Sequence, residues 1–375
     1  MRSVLGLVSI VVMAAACGGD DAAGPDASGP PDAAAAPDAG PVLVGGCAPD
    51  AVELCDWIPD APLTQVTPVP TVMLDYQDAT GATRTFQIAI HVPDGAPEPM
   101  PVVVWSHGGN DGVDNALNVA PEWAAAFVAA GYLTISIAHP GRDATSQAAL
   151  CDVLGYDAAG CLTFKHLHWD RPHDAARVFD FIEAQAVAGP YAGRIDASRI
   201  VYAGHSAGAG STLMVNGAPR DFAGQRVALA DPRPVAFVSN SPQGPGDEGF
   251  DEASFGEVTR PNLVNTGVGD DTPTVEGTNR ARSFDLMPPG HKYRLFIAEP
   301  AAKHETFDLS NDACTTFSTN NGLDPARCDD YRRWIASAAL AFVDAEVRGD
   351  ADAAAYLASD NLEVLAGGAA AWSRR

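Results

Sequence analysis

The stretch Arg199-Ile200-Val201-Tyr202-Ala203-Gly204-His205-Ser206-Ala207-Gly208-Ala209-Gly210 decides how the rest of the chain is read. A β-branched and aromatic run of strand length enters Gly204-His205-Ser206-Ala207-Gly208, a G-x-S-x-G pattern, and small residues suited to a helix follow. A serine on so sharp a strand-to-helix turn must adopt a strained backbone. Glycines two positions to either side let strand and helix approach without Cβ clashes. The turn lifts the Ser206 hydroxyl clear of the sheet and aims the Ala207 amide, at the helix start, toward any negative charge developing beside it. With 36 glycines in the chain the pattern alone arises readily by chance. The strand before it and the helix after it give it weight against a plain small-residue turn.

Serine is a weak nucleophile at neutral pH and needs a base, which in turn needs an acid to fix its tautomer. C-terminal to the turn, Asn262-Leu263-Val264-Asn265-Thr266-Gly267 reads as a strand running into Val268-Gly269-Asp270-Asp271. Asp270 is the candidate acid, and Asp271 in the same loop is its rival. The strand Tyr293–Ile297 precedes Ala302-Lys303-His304-Glu305, which makes His304 the candidate base. The chain order Ser206, Asp270, His304 is the Ser–Asp–His order of α/β-hydrolases. Of the other histidines, His205 sits inside the turn and is read as pointing away from the serine. His166, His168 and His173 carry a spacing that suggests a metal site, although hydrogen-bonded loop histidines are far commoner. N-terminal to the turn, Val102-Val103-Val104-Trp105-Ser106-His107-Gly108-Gly109-Asn110 is a buried strand meeting glycines. Those glycines either form a plain turn or leave backbone N–H groups facing a substrate carbonyl. Gly109 is the expected second oxyanion donor, with Asn110 as the alternative.

Around these segments, short apolar runs alternate with helical patterns. Thr71–Tyr76 and Thr85–Val92 read as an antiparallel hairpin. Pro101–Trp105, Leu133–Ala138 and Val235–Val238 read as further strands. Helices are expected over Asn115–Ala130, Asp174–Val187 and Tyr331–Val347, with one more over Asp352–Leu365. Gly141–Arg171 and Ser239–Pro261 read as irregular. The alternation predicts an α/β domain with a mostly parallel sheet covered on both faces and no large lid domain. Catalytic groups in such sheets gather at the carboxyl ends of the strands.

Over residues 70–345 the chain resembles the dienelactone hydrolase and platelet-activating-factor acetylhydrolase-like branch of the α/β-hydrolases. The resemblance is carried by His107-Gly108-Gly109, His139-Pro140-Gly141, Arg171-Pro172-His173-Asp174, the Gly204–Gly208 turn, Gly267–Asp270 and His304. It implies the α/β-hydrolase fold, cleavage of small-molecule or lipid-like esters without a cofactor, and Ser206, Asp270 and His304 as a triad. Ser206 stands where dienelactone hydrolases carry cysteine, which points toward esterase or lipase-like chemistry. Amide hydrolysis by the same residues, or a catalytically idle surface-binding protein of this fold, are the alternatives.

The acidic balance, 48 Asp and Glu against 23 Lys and Arg for a net charge of −25, disfavours nucleic acid and anionic lipid as partners. Arg2 followed by the short apolar run Val4–Met13 reads as an export signal over residues 1–16, too short to span a bilayer. Ala14-Ala15-Ala16-Cys17 looks like a bacterial lipobox, which makes Cys17 the expected lipidation site and the membrane a partner through that anchor alone. Soluble secretion after cleavage at an Ala-x-Ala site is the alternative. Residues 17–46, rich in Ala, Pro, Asp and Gly, read as a disordered tether, and residues 47–375 as the hydrolase domain. The six remaining cysteines fall into close pairs, Cys47–Cys55, Cys151–Cys161 and Cys314–Cys328. Local disulfides in an exported protein are the simplest reading, and no Cys-x-x-Cys spacing suggests zinc.

Overall fold

Among the described residues the strands are β1 Thr71–Gln77, β2 Thr83–His91, β3 Met100–Ser106, β4 Leu133–Ile137, β5 Ile195–His205, β6 Arg220–Phe222, β7 Gln225–Val227, β8 Pro234–Asn240, β9 Asn262–Gly267, β10 Lys292–Ile297 and β11 Ala370–Arg374, most of them short runs rich in β-branched and aromatic residues. The computed structural model describes residues 55–109 and 111–375. The expected signal over 1–16, the tether over 17–46, Cys17, Cys47 and Asn110 lie outside the described residues. Nine strands make one sheet in the order β1-β2-β4-β3-β5-β8-β9-β10-β11, while β6 and β7 pair separately. From β4 through β3, β5, β8 and β9 to β10 every neighbour is parallel. The pairs β1–β2, β2–β4 and β10–β11 are antiparallel.

Period-two alternation divides the side chains between the faces. Val103 and Trp105 of β3, Val201 and Ala203 of β5, and Ala236 and Val238 of β8 join one core. Val102, Val104, Ile200, Tyr202 and Phe237 join the other. The first face packs on Trp123 and Phe127 of α1 (Pro121–Ala129) and on α8 (Arg327–Val343). The second packs on Val178, Phe179 and Ile182 of α4 (His166–Val187). The molecule is therefore an α/β fold around a large, mostly parallel sheet.

Several expectations change. The helix expected over Asn115–Ala130 is a 3-10 turn at Ala116–Asn118 and then α1, parted at Ala120 with φ 42°. A residue before proline is steered away from the helical region, so the helix restarts at Pro121. The stretch Gly141–Arg171, expected to be irregular, holds α2 (Ala144–Val153), α3 (Ala158–Thr163) and the first turns of α4. Asp143 and Asp157 cap α2 and α3 by accepting from the Ser146 and Gly160 amides. The helices are too short to show a period. His166, His168 and His173 accordingly lie on α4 and not in a loop. Also unread were α6 (Gly277–Leu286), α7 (Asp312–Asn320) and β11. The final pattern splits into α9 (Ala351–Ala358) and α10 (Asn361–Leu365).

Disulfides join Cys151 to Cys161 across α2 and α3, and Cys314 to Cys328 across α7 and α8. Cys55 is disulfide-bonded too. Such bonds fit an oxidising, extracytoplasmic environment. Among the described residues no helix is long and apolar enough to cross a membrane. With sequence separations of 10 and 14, each described bridge is expected to contribute roughly 3 kcal/mol by the chain-entropy relation. Unreduced peptide mapping should recover both pairs, and a reductant should lower Tm. A cross-paired peptide would refute the assignment.

Candidate active site

Four strand ends converge at the carboxyl edge of the parallel sheet. β5 delivers Ser206, and α5 (Ala207–Asn216) begins at the next residue. Ser206 has φ 54° and ψ −117°, a conformation non-glycine residues rarely hold and which costs on the order of 1–3 kcal/mol. The surroundings enforce it: the Ser206 N–H donates to the Asn240 carbonyl at 2.8 Å, and Gly210 donates to the Ser206 carbonyl at 3.0 Å. The flanking glycines are sterically required. A Cβ on Gly204 would lie 2.7 Å from the Gly208 backbone, and one on Gly208 would lie 2.1 Å from the Ser106 carbonyl oxygen. Backbone β5, the start of α5 and the end of β3 are thus packed to contact at this corner.

β9 delivers Asp270 and β10 delivers His304. His304 opens a 3-10 turn, His304–Asp308, and its Nδ1 meets Asp270 Oδ1 at 2.7 Å. Asp270 is fully buried, and Thr266 Oγ1 donates to its Oδ2 at 2.7 Å. Arg280 of α6, also buried, donates from Nε to the Asp270 carbonyl at 3.0 Å and lies 3.4 Å from Oδ1. Its Nη1 donates to the carbonyls of Ser241 and Pro242. Arg280 therefore clamps the loop of Asp270 to the loop after β8. Asp271 is exposed, and its Oδ1 accepts from the Gly277 amide at 2.8 Å, at the start of α6. Of the two rivals, Asp270 alone reaches the histidine. With Nδ1 bound to Asp270, Nε2 is the ring nitrogen left to exchange a proton in the cavity.

His205 lies beside His304, ring centroids 4.5 Å apart, and donates from Nε2 to the His304 carbonyl at 3.0 Å. Burial pushes its pKa well down, so it is a neutral brace for the His304 backbone. β3 delivers the glycine loop. Gly108 abuts the serine, since a Cβ there would sit 3.2 Å from Ser206 Cβ. Gly109 follows with φ 80°. His107 is neutral, its pKa pushed down to about 2 by burial and by the Arg171 guanidinium. It bonds from Nδ1 to the Gly108 carbonyl at 2.6 Å. Ser206, Ala207, Gly108, Gly109, His205 and His304 all line one cavity of about 660 Å³. Val113, Val119 and Val275 supply apolar wall, whereas Gln243, Glu248, Glu305 and Asp308 add polar and acidic groups and Arg280 a positive one. A smaller cavity of about 240 Å³, walled by Tyr76, Asp78, Arg142 and Trp169, is lined by no serine, threonine or cysteine.

The three histidines of α4 do not converge. His166 accepts from the Arg142 amide, and His173 bonds to the Trp169 carbonyl. Among the described residues no group of three or more His, Cys, Asp or Glu is arranged to hold a metal ion.

Sequence reasoning missed a buried, hydrogen-bonded Ser–His–Asp chain. Ser106 Oγ meets His139 Nε2 at 2.9 Å, and His139 Nδ1 meets Asp174 Oδ2 at 2.9 Å. Asp174 also accepts from Arg84 and from the Tyr76 hydroxyl. Burial pushes Asp174 up, but the Arg84 and His139 hydrogen bonds outweigh it and hold the carboxyl at about 2. Burial carries His139 down to about 4. Ser106, His139 and Asp174 are sealed from solvent, so this chain braces the end of β3 and offers no substrate access. Its only sequence trace is His139-Pro140-Gly141 and Asp174, which the family resemblance picked out without assigning them a role. Against known proteins, the chain matches no family model and no curated sequence.

Proposed function

We propose that the chain is a serine hydrolase of the α/β-hydrolase fold that cleaves carboxylic esters. The observation that carries the reading is the 2.7 Å contact of His304 with buried Asp270, His304 itself lying on a cavity wall shared with Ser206 in its strained turn. A mostly parallel sheet with the G-x-S-x-G turn between a central strand and a helix is the setting this reading requires. In the proposed cycle His304 Nε2 takes the proton of Ser206 Oγ, which bonds to the ester carbonyl carbon. Asp270 holds the ring in the productive tautomer and stabilises the imidazolium. The amides of Ala207 and Gly109 receive the oxyanion. The carbon–oxygen bond to the alcohol then breaks as His304 returns its proton to the leaving oxygen. Water, deprotonated by the same histidine, attacks the acyl carbon, and the bond to Ser206 Oγ breaks as His304 returns that proton to Oγ, freeing the acid and the serine hydroxyl. No metal or organic cofactor enters this scheme. The lipobox-like Ala14–Cys17 supports anchoring through lipid on Cys17, facing the periplasm or the cell exterior.

A fluorophosphonate probe should label the protein at Ser206, as identified by peptide mass. p-Nitrophenyl esters of rising chain length should then give burst or steady turnover, and matched anilides much less. No labelling and no turnover on any ester would overturn the proposal. Faster anilide cleavage would replace the esterase assignment with an amidase.

A further inference from the structure

Arg171 of α4 is fully buried, yet among the described residues it forms no ion pair. Asp174 and Glu248 act on it only from a distance, and burial pulls its guanidinium down to about 10. It is still charged at neutral pH. Placing an unpaired cation in the interior is costly, so its partners must be read closely. They are three successive main-chain carbonyls, with the His107 ring nitrogen Nδ1 at 3.5 Å from Nη2 beside them. Nη1 donates to the carbonyl of His107, and Nη2 donates to Gly109 at 2.8 Å and more weakly to Gly108 at 3.4 Å. These are the carbonyls of the glycine loop after β3. In a peptide plane the N–H points opposite to the C=O. A fork that gathers the carbonyls on one side turns the amides of the same peptide units to the other.

We infer that Arg171 is a positioning residue for oxyanion stabilisation: its guanidinium gathers the carbonyls of His107, Gly108 and Gly109 so that the loop's amides face Ser206. The inference rests on the serine hydrolase reading. Hydrogen bonding at a carbonyl also strengthens donation by the N–H of the same peptide unit, and the Gly109 amide shares its unit with the Gly108 carbonyl, which Nη2 reaches at 3.4 Å and the His107 ring at 2.6 Å. A buried positive charge behind the loop therefore favours negative charge in front of it. That advantage is largest in the tetrahedral intermediate, where the substrate oxygen carries a full charge, and small for the neutral ester. Because its Nε has no partner and its carbonyl contacts are confined to this loop, the side chain serves the loop and not a wider network.

The test compares the parent chain with Arg171→Met, which keeps the length and removes charge and donors, and Arg171→Lys, which keeps charge but loses the fork. Fluorophosphonate labelling and ester turnover of the parent are read first, and their absence overturns both readings. Circular dichroism and Tm establish that each variant is folded. Arg171→Met should then lower kcat by about 10², the range seen on removing an oxyanion donor, with KM within about threefold. Affinity for a trifluoromethyl ketone, which forms a tetrahedral adduct, should fall in parallel with kcat. Arg171→Lys should recover about tenfold of the loss. A folded Arg171→Met protein with parental kcat, or with kcat lowered but ketone affinity unchanged, overturns this inference alone. If Arg171→Met does not fold, Arg171→Lys decides: kcat about tenfold below the parent at constant KM supports the role, and parental kcat overturns it.

Discussion

A Ser206→Ala protein is expected to fold like its parent and to lose ester turnover by a factor of about 10⁴ to 10⁶. The size of the loss follows from how the proposed parts depend on one another. Without the hydroxyl there is no nucleophile for His304 to activate, and the Asp270–His304 pair has nothing to act on. Whatever remains comes from binding and from oxyanion contacts to an ester attacked directly by water. The fold should survive for local reasons. Alanine is close in size to serine, and the main-chain bonds that impose φ 54°, from Ser206 to Asn240 and from Gly210 to Ser206, need no side chain. Tm should therefore move by little, while fluorophosphonate labelling disappears. A folded Ser206→Ala protein that still turns over esters would remove the catalytic reading altogether.

How much of this could be read from the residues depends on the kind of interaction that makes each part. Strands β3 and β5 are legible because burial on both faces writes Val102–Trp105 and Ile200–Ala203 as unbroken apolar runs. The strand-to-helix turn is legible because its glycines are dictated by backbone contact. β11 is not legible. Ala370-Ala371-Trp372-Ser373-Arg374 has little intrinsic strand preference. It is held by pairing with β10, by Trp372 Nε1 donating to the Leu357 carbonyl, and by stacking of Trp372 on Tyr293. Arg171 and Arg280 are illegible for a related reason. Each acts through main-chain carbonyls of distant segments, and a carbonyl leaves no trace in residue identity. Chain order singles out His304, whereas nothing in the sequence shows that His205 donates from Nε2 to the His304 carbonyl and lines the same cavity.

Neighbouring aspartates offer the sharpest discrimination. Asp270→Asn is expected to lower kcat by up to about 10⁴, and Asp271→Asn to leave it within a few-fold. Asparagine matches the shape of Asp270 in a site with no exposure to relax into, so the packing should persist. The chemistry should not. If the amide presents its NH₂ to His304 Nδ1, that nitrogen becomes an acceptor and the proton moves to Nε2, where a base cannot use it. If the amide presents its oxygen, the tautomer is kept but the negative charge that stabilises the imidazolium is gone. The nearby Arg280 guanidinium, 3.4 Å from Oδ1, then destabilises the imidazolium further, because its charge is no longer offset. Either orientation costs rate without a matching rise in KM. Asp271 faces water and uses one carboxylate oxygen to accept from the Gly277 amide, a role an asparagine oxygen can fill. Steady-state kinetics on both folded variants decide between them. Loss in Asp271→Asn with near-parental turnover in Asp270→Asn would mean that the buried carboxylate is structural and that the acid of the cycle is the exposed one.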